Sequence, residues 1–239
     1  MLQCVVLAGG PGIRMRPATE EMPKALLPVL GRPFAEWQLE LLAKQGIERV
    51  LYSVGYRGEM IRDHVGDGSR WGLEVIYVDE GHQLRGTGGA LRLALDLGEL
   101  EEAFFVLYGD SYLPVDLSAI ERAWEQTPLP ALMTVFRNDG LWDASNAIYS
   151  GGRVVLYDKD RPADRVADMH WIDYGLSVLT RDTVDERVAA GEVTDLAGLM
   201  RELSVEGKLA GFEVSERFYE AGSPEGLRDL EQYLSRADQ

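Results

Sequence analysis

Cysteine is almost absent from this 239-residue chain: Cys4 stands alone, so no intrachain disulfide can staple the fold. Its place inside an apolar run, Gln3 to Leu7, points to a buried core thiol rather than a reactive one. Long apolar stretches are missing too. No segment approaches the roughly 20 apolar residues that a membrane helix needs. The first strand-like run lacks the basic flank and long apolar core of a secretory leader, so the expectation is a cytoplasmic protein with no membrane partner. Basic residues are scarce, 24 Lys and Arg against 40 Asp and Glu, for a net charge of -16. A chain of this charge with no Lys/Arg run is not built to bind nucleic acid. Any anionic ligand must be held by a few placed cations, backbone amides or a metal ion. The three histidines, His64, His82 and His170, lack metal-ligand spacing. Low-complexity tracts and repeats are absent as well, and 46% hydrophobic residues imply a chain that folds throughout.

The length suits one α/β core rather than two full domains, so a single domain over 1–239 is expected. Hydrophobic periods predict strands near Gln3–Leu7, Arg49–Val54, Leu73–Val78 and Phe104–Tyr108, separated by helices near Phe34–Gln45, Glu59–Val65 and Thr87–Leu97. That alternation is the grammar of a doubly wound, mostly parallel, Rossmann-like sheet of the α/β class. Pro33 is placed as a first-turn proline and Gly46 as the stop of the first long helix. The second half, 129–239, predicts strands near Ala131–Phe136, Ala147–Ser150, Val154–Asp158 and Ile172–Leu179, with a hairpin turn at Ser150-Gly151-Gly152-Arg153. Helices near Asp182–Ala190 and Leu196–Glu206, a strand near Leu209–Val214 and a helix near Pro224–Leu234 follow. This half should extend the sheet and add a small antiparallel lobe. In such sheets ligands bind at the carboxyl ends of the strands.

Directly after the first strand comes Leu7-Ala8-Gly9-Gly10-Pro11-Gly12-Ile13-Arg14, with Pro23-Lys24 downstream. Glycines here let consecutive amides approach a phosphate chain, and Arg14 and Lys24 can supply cations. An ordinary glycine turn is the plain alternative. Two known phosphate motifs fail on spacing. The dinucleotide fingerprint wants a third glycine where Met15 stands, and a P-loop wants Gly-Lys-Ser/Thr, which never occurs. A carboxylate at the end of an apolar strand, as in Phe105-Val106-Leu107-Tyr108-Gly109-Asp110, is where an α/β protein places a metal ligand. Asp116 reads as the cap of the next helix, and Trp71 and Trp142 as packing residues.

With Met22-Pro23-Lys24, Gly86-Thr87-Gly88-Gly89-Ala90, Tyr108-Gly109-Asp110, Asp158-Lys159, Asp173-Tyr174-Gly175 and Gly222-Ser223-Pro224 in this order, the chain resembles the sugar-1-phosphate nucleotidylyltransferase family over nearly its whole length. The run of glycines and the compact length look most like the bacterial heptose-, mannose- or N-acetylmuramate-1-phosphate enzymes. The resemblance implies a nucleotide-diphospho-sugar transferase fold. Its partners would be a nucleoside triphosphate and a sugar 1-phosphate, with Mg²⁺, or else Mn²⁺, as cofactor. The first half, 1–128, would bind the nucleotide through Leu7, Ala8, Gly9, Gly10, Gly12, Gln83, Gly86, Thr87 and Gly88, with Glu80 also near the base. Arg14, Lys24 and Asp110 would be catalytic. The second half would hold the sugar phosphate through Asn146, Lys159, Asp173 and Tyr174, with Asp158 replacing the family's usual Glu before Lys159. Asp110 would hold the metal together with Glu220, where relatives commonly carry Asp; a helix cap or an Arg217 pair is the plain alternative for Glu220. Guanine with a heptose or mannose phosphate is slightly preferred over uridine and thymidine derivatives. A nucleotide-sensing relative without activity, and a glycosyltransferase, are the competing classes. The latter usually carries Asp-x-Asp, which Asp110-Ser111-Tyr112 breaks. A homo-oligomer is left open.

Overall fold

Every residue of strand β1 (Gln3–Ala8) after Gln3 is apolar, and the fold uses both faces: Cys4 and Val6 enter one core, Val5 and Leu7 another. A strand covered on both sides reads as a continuous apolar run. The computed structural model describes residues 1–81, 83–138 and 140–237. After β1 come three 3-10 turns within residues 13–26, then β2 (Pro28–Val29), β3 (Arg32–Pro33) and α1 (Phe34–Lys44). The βαβ alternation continues with β4 (Arg49–Val54), α2 (Gly58–Val65), β5 (Glu74–Asp79), α3 (Gly86–Asp96) and β6 (Ala103–Tyr108). The remainder holds β7 (Ser111–Tyr112), α4 (Leu117–Glu125), β8 (Ala131–Arg137), β9 (Ala147–Ser150), β10 (Arg153–Tyr157), β11 (Trp171–Thr180) and α5 (Arg181–Arg187). It closes with α6 (Leu196–Val205), β12 (Leu209–Val214), β13 (Tyr219–Glu220) and α7 (Pro224–Ala237).

One nine-stranded sheet runs in the order β5-β4-β1-β6-β11-β8-β12-β10-β9. The first four are parallel, the arrangement that right-handed crossovers on either side of a first strand produce. β12 is parallel to β8, whereas β11 and β10 run against their neighbours. The sheet is therefore mixed. Strands expected as a small antiparallel lobe form the far edge of this same sheet. Two ribbons stand apart from it, β2 with β3 and β7 with β13; two-residue strands carry no periodicity, and the sequence gives no sign of them. Helices cover both faces. Buried residues of α1, α2 and α4 join Cys4 and Val6 on one side, those of α3, α5 and α6 join Val5 and Leu7 on the other. Helix α7 closes a third cluster with Val29, Phe34 and Tyr219.

Local signals hold in most places. Gly46 follows α1 with φ 87, and Gly151 and Gly152 turn β9 into β10 with φ 58 and 78, as a two-residue hairpin turn requires. Pro33 lies one residue before α1 instead of in its first turn, and α5 ends at Arg187, short of Ala190. Cys4 is fully buried, and burial pushes its thiol up to about 12. Trp71 is partly buried against the core, with the Arg70 guanidinium 4.0 Å from its ring centroid. Among the described residues no helix is long and apolar enough to cross a membrane. Asp116 caps α4, its carboxylate accepting the Ala119 N–H at 3.1 Å. Asp116→Ala should therefore cost about 1 kcal/mol in urea unfolding. A loss near zero would show that the cap is not needed.

Candidate active site

Strands β1 and β6 are paired to their ends, with Leu7 beside Tyr108, so the glycine loop and the Gly109-Asp110 turn leave the sheet side by side. Gly109 N–H donates to Leu7 O at 2.9 Å. From the helix layer the Gln38 side chain, 1% exposed, donates to Tyr108 O at 3.2 Å and Ser111 O at 2.8 Å. This amide brackets Asp110 from below. The glycine loop is braced in the same way: Tyr56 N–H donates to Gly9 O at 3.0 Å, Thr19 Oγ1 to Gly12 O at 2.8 Å, and Tyr56 OH to Thr19 O at 3.1 Å. Lys24 Nζ donates to Asp110 Oδ2, an ion pair that joins the loop to the strand end.

The first cleft, about 320 Å³, is lined by Leu7, Ala8, Gly9, Gly10, Lys24, Glu80, Gly86, Thr87, Asp110 and Asp195 among others. Three of the expected nucleotide residues lie outside this lining. Gln83 is exposed to solvent. Gly12 is buried beneath the stem of Lys24, so that a Cβ there would stand 2.6 Å from Lys24 Cγ. Gly88 is buried with its amide engaged, since the N–H groups of Gly88 and Gly89 both donate to Thr194 O, at 2.9 and 3.1 Å. The physical reason for the glycine run is therefore the close approach of the 192–195 segment: a Cβ on Gly88 would meet Thr194 Cγ2 at 3.0 Å. Thr87 Oγ1 in turn accepts the Leu196 N–H at 2.8 Å, and Asp195 reaches the cleft from the second half of the chain. Burial raises the Glu80 carboxyl, opposed by the Arg85 N–H that it accepts at 2.7 Å.

The second cleft, about 430 Å³, shares Tyr108 and Asp110 with the first. It collects Arg14, Asn146, Lys159, Asp173, Tyr174 and Glu220, all expected from sequence, and adds Trp142, Arg217 and Asp229. Arg14 thus lines this cleft and not the one holding the glycine loop. Lys159 Nζ lies 5.8 Å from the Tyr108 ring centroid. Its neighbour Asp158 turns away, buried and bonded to Arg201 Nε at 2.6 Å, which holds its carboxyl below the ordinary range and fixes the turn. Asp173 N–H donates to Asn146 Oδ1 at 3.0 Å, and its carboxylate accepts from Gly175 N–H at 3.0 Å and Tyr157 OH at 3.3 Å. Burial raises the Asp173 carboxyl, against the pull of the Gly175 N–H and the Lys159 charge. Trp142, expected as packing, is instead 48% exposed, with the Arg217 guanidinium 3.6 Å from its ring centroid.

Glu220 pairs with Ser111 on the β7–β13 ribbon, one residue from Asp110, and Ala221 N–H donates to Asp110 O at 2.7 Å. Its carboxylate accepts from Gly222 N–H and Ser223 OH, while Ser223 Oγ caps α7 through Gly226 N–H at 3.0 Å. A side chain on Gly222 would strike the Glu220 carboxylate and meet Asp110 Oδ2 at 2.6 Å and Arg14 Nη2 at 3.2 Å. These two carboxylates and one guanidinium thus converge on a spot that glycine keeps clear. Hard oxygen donors from the Asp110 turn and from β13 fit a small divalent cation. They are a pair; among the described residues no group of three or more His, Cys, Asp and Glu gathers as a metal centre. His82 lies outside the described residues.

Residues 3–139 match the model of the nucleotidyl transferase family. The chain belongs to that family. It is 30% identical to mannose-1-phosphate guanylyltransferase of Mycobacterium tuberculosis, with 94% of this chain aligned to 62% of that protein. It is 26% identical to N-acetylmuramate alpha-1-phosphate uridylyltransferase of Neisseria meningitidis serogroup B, over 96% of this chain and 97% of that one. The chain spans about half the length of other curated relatives that it matches. In fold this nucleotidyl transferase family member is similar to HddC from Yersinia pseudotuberculosis complexed with GMP-PN: TM-score 0.78, 22% identity, 98% of this chain and 100% of that one.

The raised Asp173 carboxyl has a consequence for stability. A carboxyl lifted on folding contributes stability fully below its unfolded value and loses it as pH rises through the folded one. Asp173→Asn removes the group that is penalised and keeps an oxygen for Gly175 N–H. The variant's Tm should gain on the parent's as pH rises above the ordinary carboxylate value of about 4. A Tm gap that stays constant with pH would contradict the raised value.

Proposed function

We propose that this chain transfers a nucleoside monophosphate from a nucleoside triphosphate to a sugar 1-phosphate, releasing pyrophosphate. The observation that carries the reading is the position of Asp110 and Tyr108 in both clefts, because the α-phosphoryl group must pass between a nucleotide and a sugar phosphate that lie end to end. A phosphate oxygen of the sugar 1-phosphate attacks the α-phosphorus in line, and the bond to pyrophosphate breaks. Such a reaction needs positioning and charge neutralisation more than covalent chemistry. The amides of Gly9 and Gly10 approach the triphosphate. Lys24, between loop and strand end, serves the phosphates of both substrates, and Arg14 meets the α-phosphoryl group from the second cleft. Asn146, Lys159, Asp173 and Tyr174 hold the sugar phosphate. Asp110 and Glu220 would hold Mg²⁺, which neutralises charge on the phosphate oxygens when bound. The first half of the chain serves the nucleotide, the second the sugar phosphate, and the work is done in the cytoplasm.

Guanine is favoured over uracil or thymine by the carboxylates of Glu80 and Asp195 in the first cleft. The N1–H and N2–H₂ edge of guanine offers adjacent donors to a carboxylate, whereas a pyrimidine dione flanks its one N–H with two carbonyl oxygens that a carboxylate repels. A heptose or mannose 1-phosphate is the preferred acceptor.

A pyrophosphate-release matrix of the common triphosphates against a panel of sugar 1-phosphates with Mg²⁺ should show turnover highest with GTP. Asp110→Asn should lower it by about two decades or more without unfolding the protein. A folded, fully active Asp110→Asn enzyme would remove Asp110 from the chemistry. Glu220→Gln distinguishes ligand from cap. A ligand requires more Mg²⁺ for half-maximal turnover, whereas a cap loses about 1 kcal/mol of stability with an unchanged Mg²⁺ titration.

A further inference from the structure

Trp142 lines the second cleft and not the first. With Leu141 it puts a large apolar surface into water at the mouth of a polar site, the two residues being 48% and 74% exposed. The turn that carries them is held from inside. Asn138, fully buried, accepts the Trp142 N–H at 3.1 Å and donates to Asp143 O at 2.6 Å and Ser145 Oγ at 3.0 Å. The ring is fixed as well: the Arg217 guanidinium stacks on it at 3.6 Å, stands 5.1 Å from the Tyr219 ring and is ion-paired with Asp229. An exposed indole on an ordered turn, braced through a guanidinium whose own position is set, is a surface prepared for a ligand with little left to order on binding.

We infer that Trp142 is the platform on which the sugar ring of the sugar 1-phosphate stacks, and that it selects among sugars; this rests on the nucleotidylyltransfer reading. A pyranose is amphipathic. Its hydroxyls point outward in the ring plane, while a face with only axial hydrogens is apolar and packs against an aromatic ring as other hydrocarbon does. With Lys159, which lines the same cleft, on the phosphate, the ring of the substrate is the part left to meet Trp142. A sugar fits the platform through a patch of C–H bonds, such as the axial hydrogens on C3 and C5 of a manno- or gluco-configured ring, and one with an axial hydroxyl directed at the indole is disfavoured because that hydroxyl loses its water without gaining a partner.

The test compares the wild-type protein with Trp142→Ala, Trp142→Leu and Trp142→Phe in the pyrophosphate-release assay, KM being measured separately for the two substrates. Trp142→Ala should raise the KM for the sugar 1-phosphate about tenfold and leave that for the triphosphate within about twofold. Trp142→Leu, which keeps apolar bulk without the ring, should follow it, and Trp142→Phe should recover most of the loss. Calorimetric titration of the sugar 1-phosphate into wild type and Trp142→Ala, without triphosphate, should show the same weakening. An active Trp142→Ala enzyme with unchanged sugar-phosphate KM and affinity overturns the platform alone, as does an equal rise in both KM values. Wild-type protein that binds the sugar phosphate through Trp142 yet releases no pyrophosphate from any pair overturns the reaction and keeps the platform.

Discussion

Parallel pairing of β1 with β6, in register from Gln3 beside Phe104 to Leu7 beside Tyr108, is the constraint on which the site rests. Two parallel strands that end together release their loops in the same direction and at the same height. One loop is rich in glycine and carries Arg14 and Lys24; the other is a tight turn carrying Asp110. Neither loop has a fixed shape of its own, so each is tied to the helix layer and the next strand by hydrogen bonds to backbone carbonyls, from Gln38 on one side and Tyr56 and Thr19 on the other. Side chains that bond backbone fix where a loop runs without dictating what its own side chains must be.

The parts of this arrangement legible in the sequence are those encoded locally. A strand buried on both faces announces itself as an apolar run, a helix by its period, and a glycine loop between them by composition. The turn at Gly151-Gly152 and the cap at Asp116 are likewise settled within four residues. What escapes is encoded by distant partners. Ser111 and Glu220 form a ribbon too short for any period, and the run Gly86–Gly89 looks like a helix start open to a nucleotide until Thr194, from the other half, is found occupying two of its amides. Trp142 misleads because tryptophan is usually packed; its exposure depends on Asn138, a polar residue inside the core. Asp158 reads as half of a substrate-facing pair, and its bond to Arg201 could not be foreseen from spacing.

An acidic chain with the proposed anionic substrates must separate its charges. Here cations gather at the clefts while two of them are partnered internally: Lys24 with Asp110, Arg217 with Asp229. Under the proposed reaction an incoming phosphate would exchange with a carboxylate that is already present rather than meet a bare cation. Partnering of this kind holds the cations in position without letting them bind every anion that passes, at the cost of some affinity. The three carboxyls with perturbed values in the region differ in cause: Glu80 and Asp173 are raised by burial, and Asp158 is lowered by its arginine.

The seam between the halves is the antiparallel ladder of β6 and β11, from Leu107 beside Leu176 to Ala103 beside Thr180, with the β7–β13 ribbon alongside. The glycine loop belongs to one side of it and Asn146, Lys159 and Asp173 to the other. The clefts are not confined to one side each, since Arg14 lines the second and Asp195 the first, and the two meet at the end of β6. The spacing of this ladder sets the distance between the glycine loop on one side and Asn146, Lys159 and Asp173 on the other. The ladder acts as a caliper between the two clefts, and under the proposed reaction its stiffness would set how closely two substrates are kept at reacting distance.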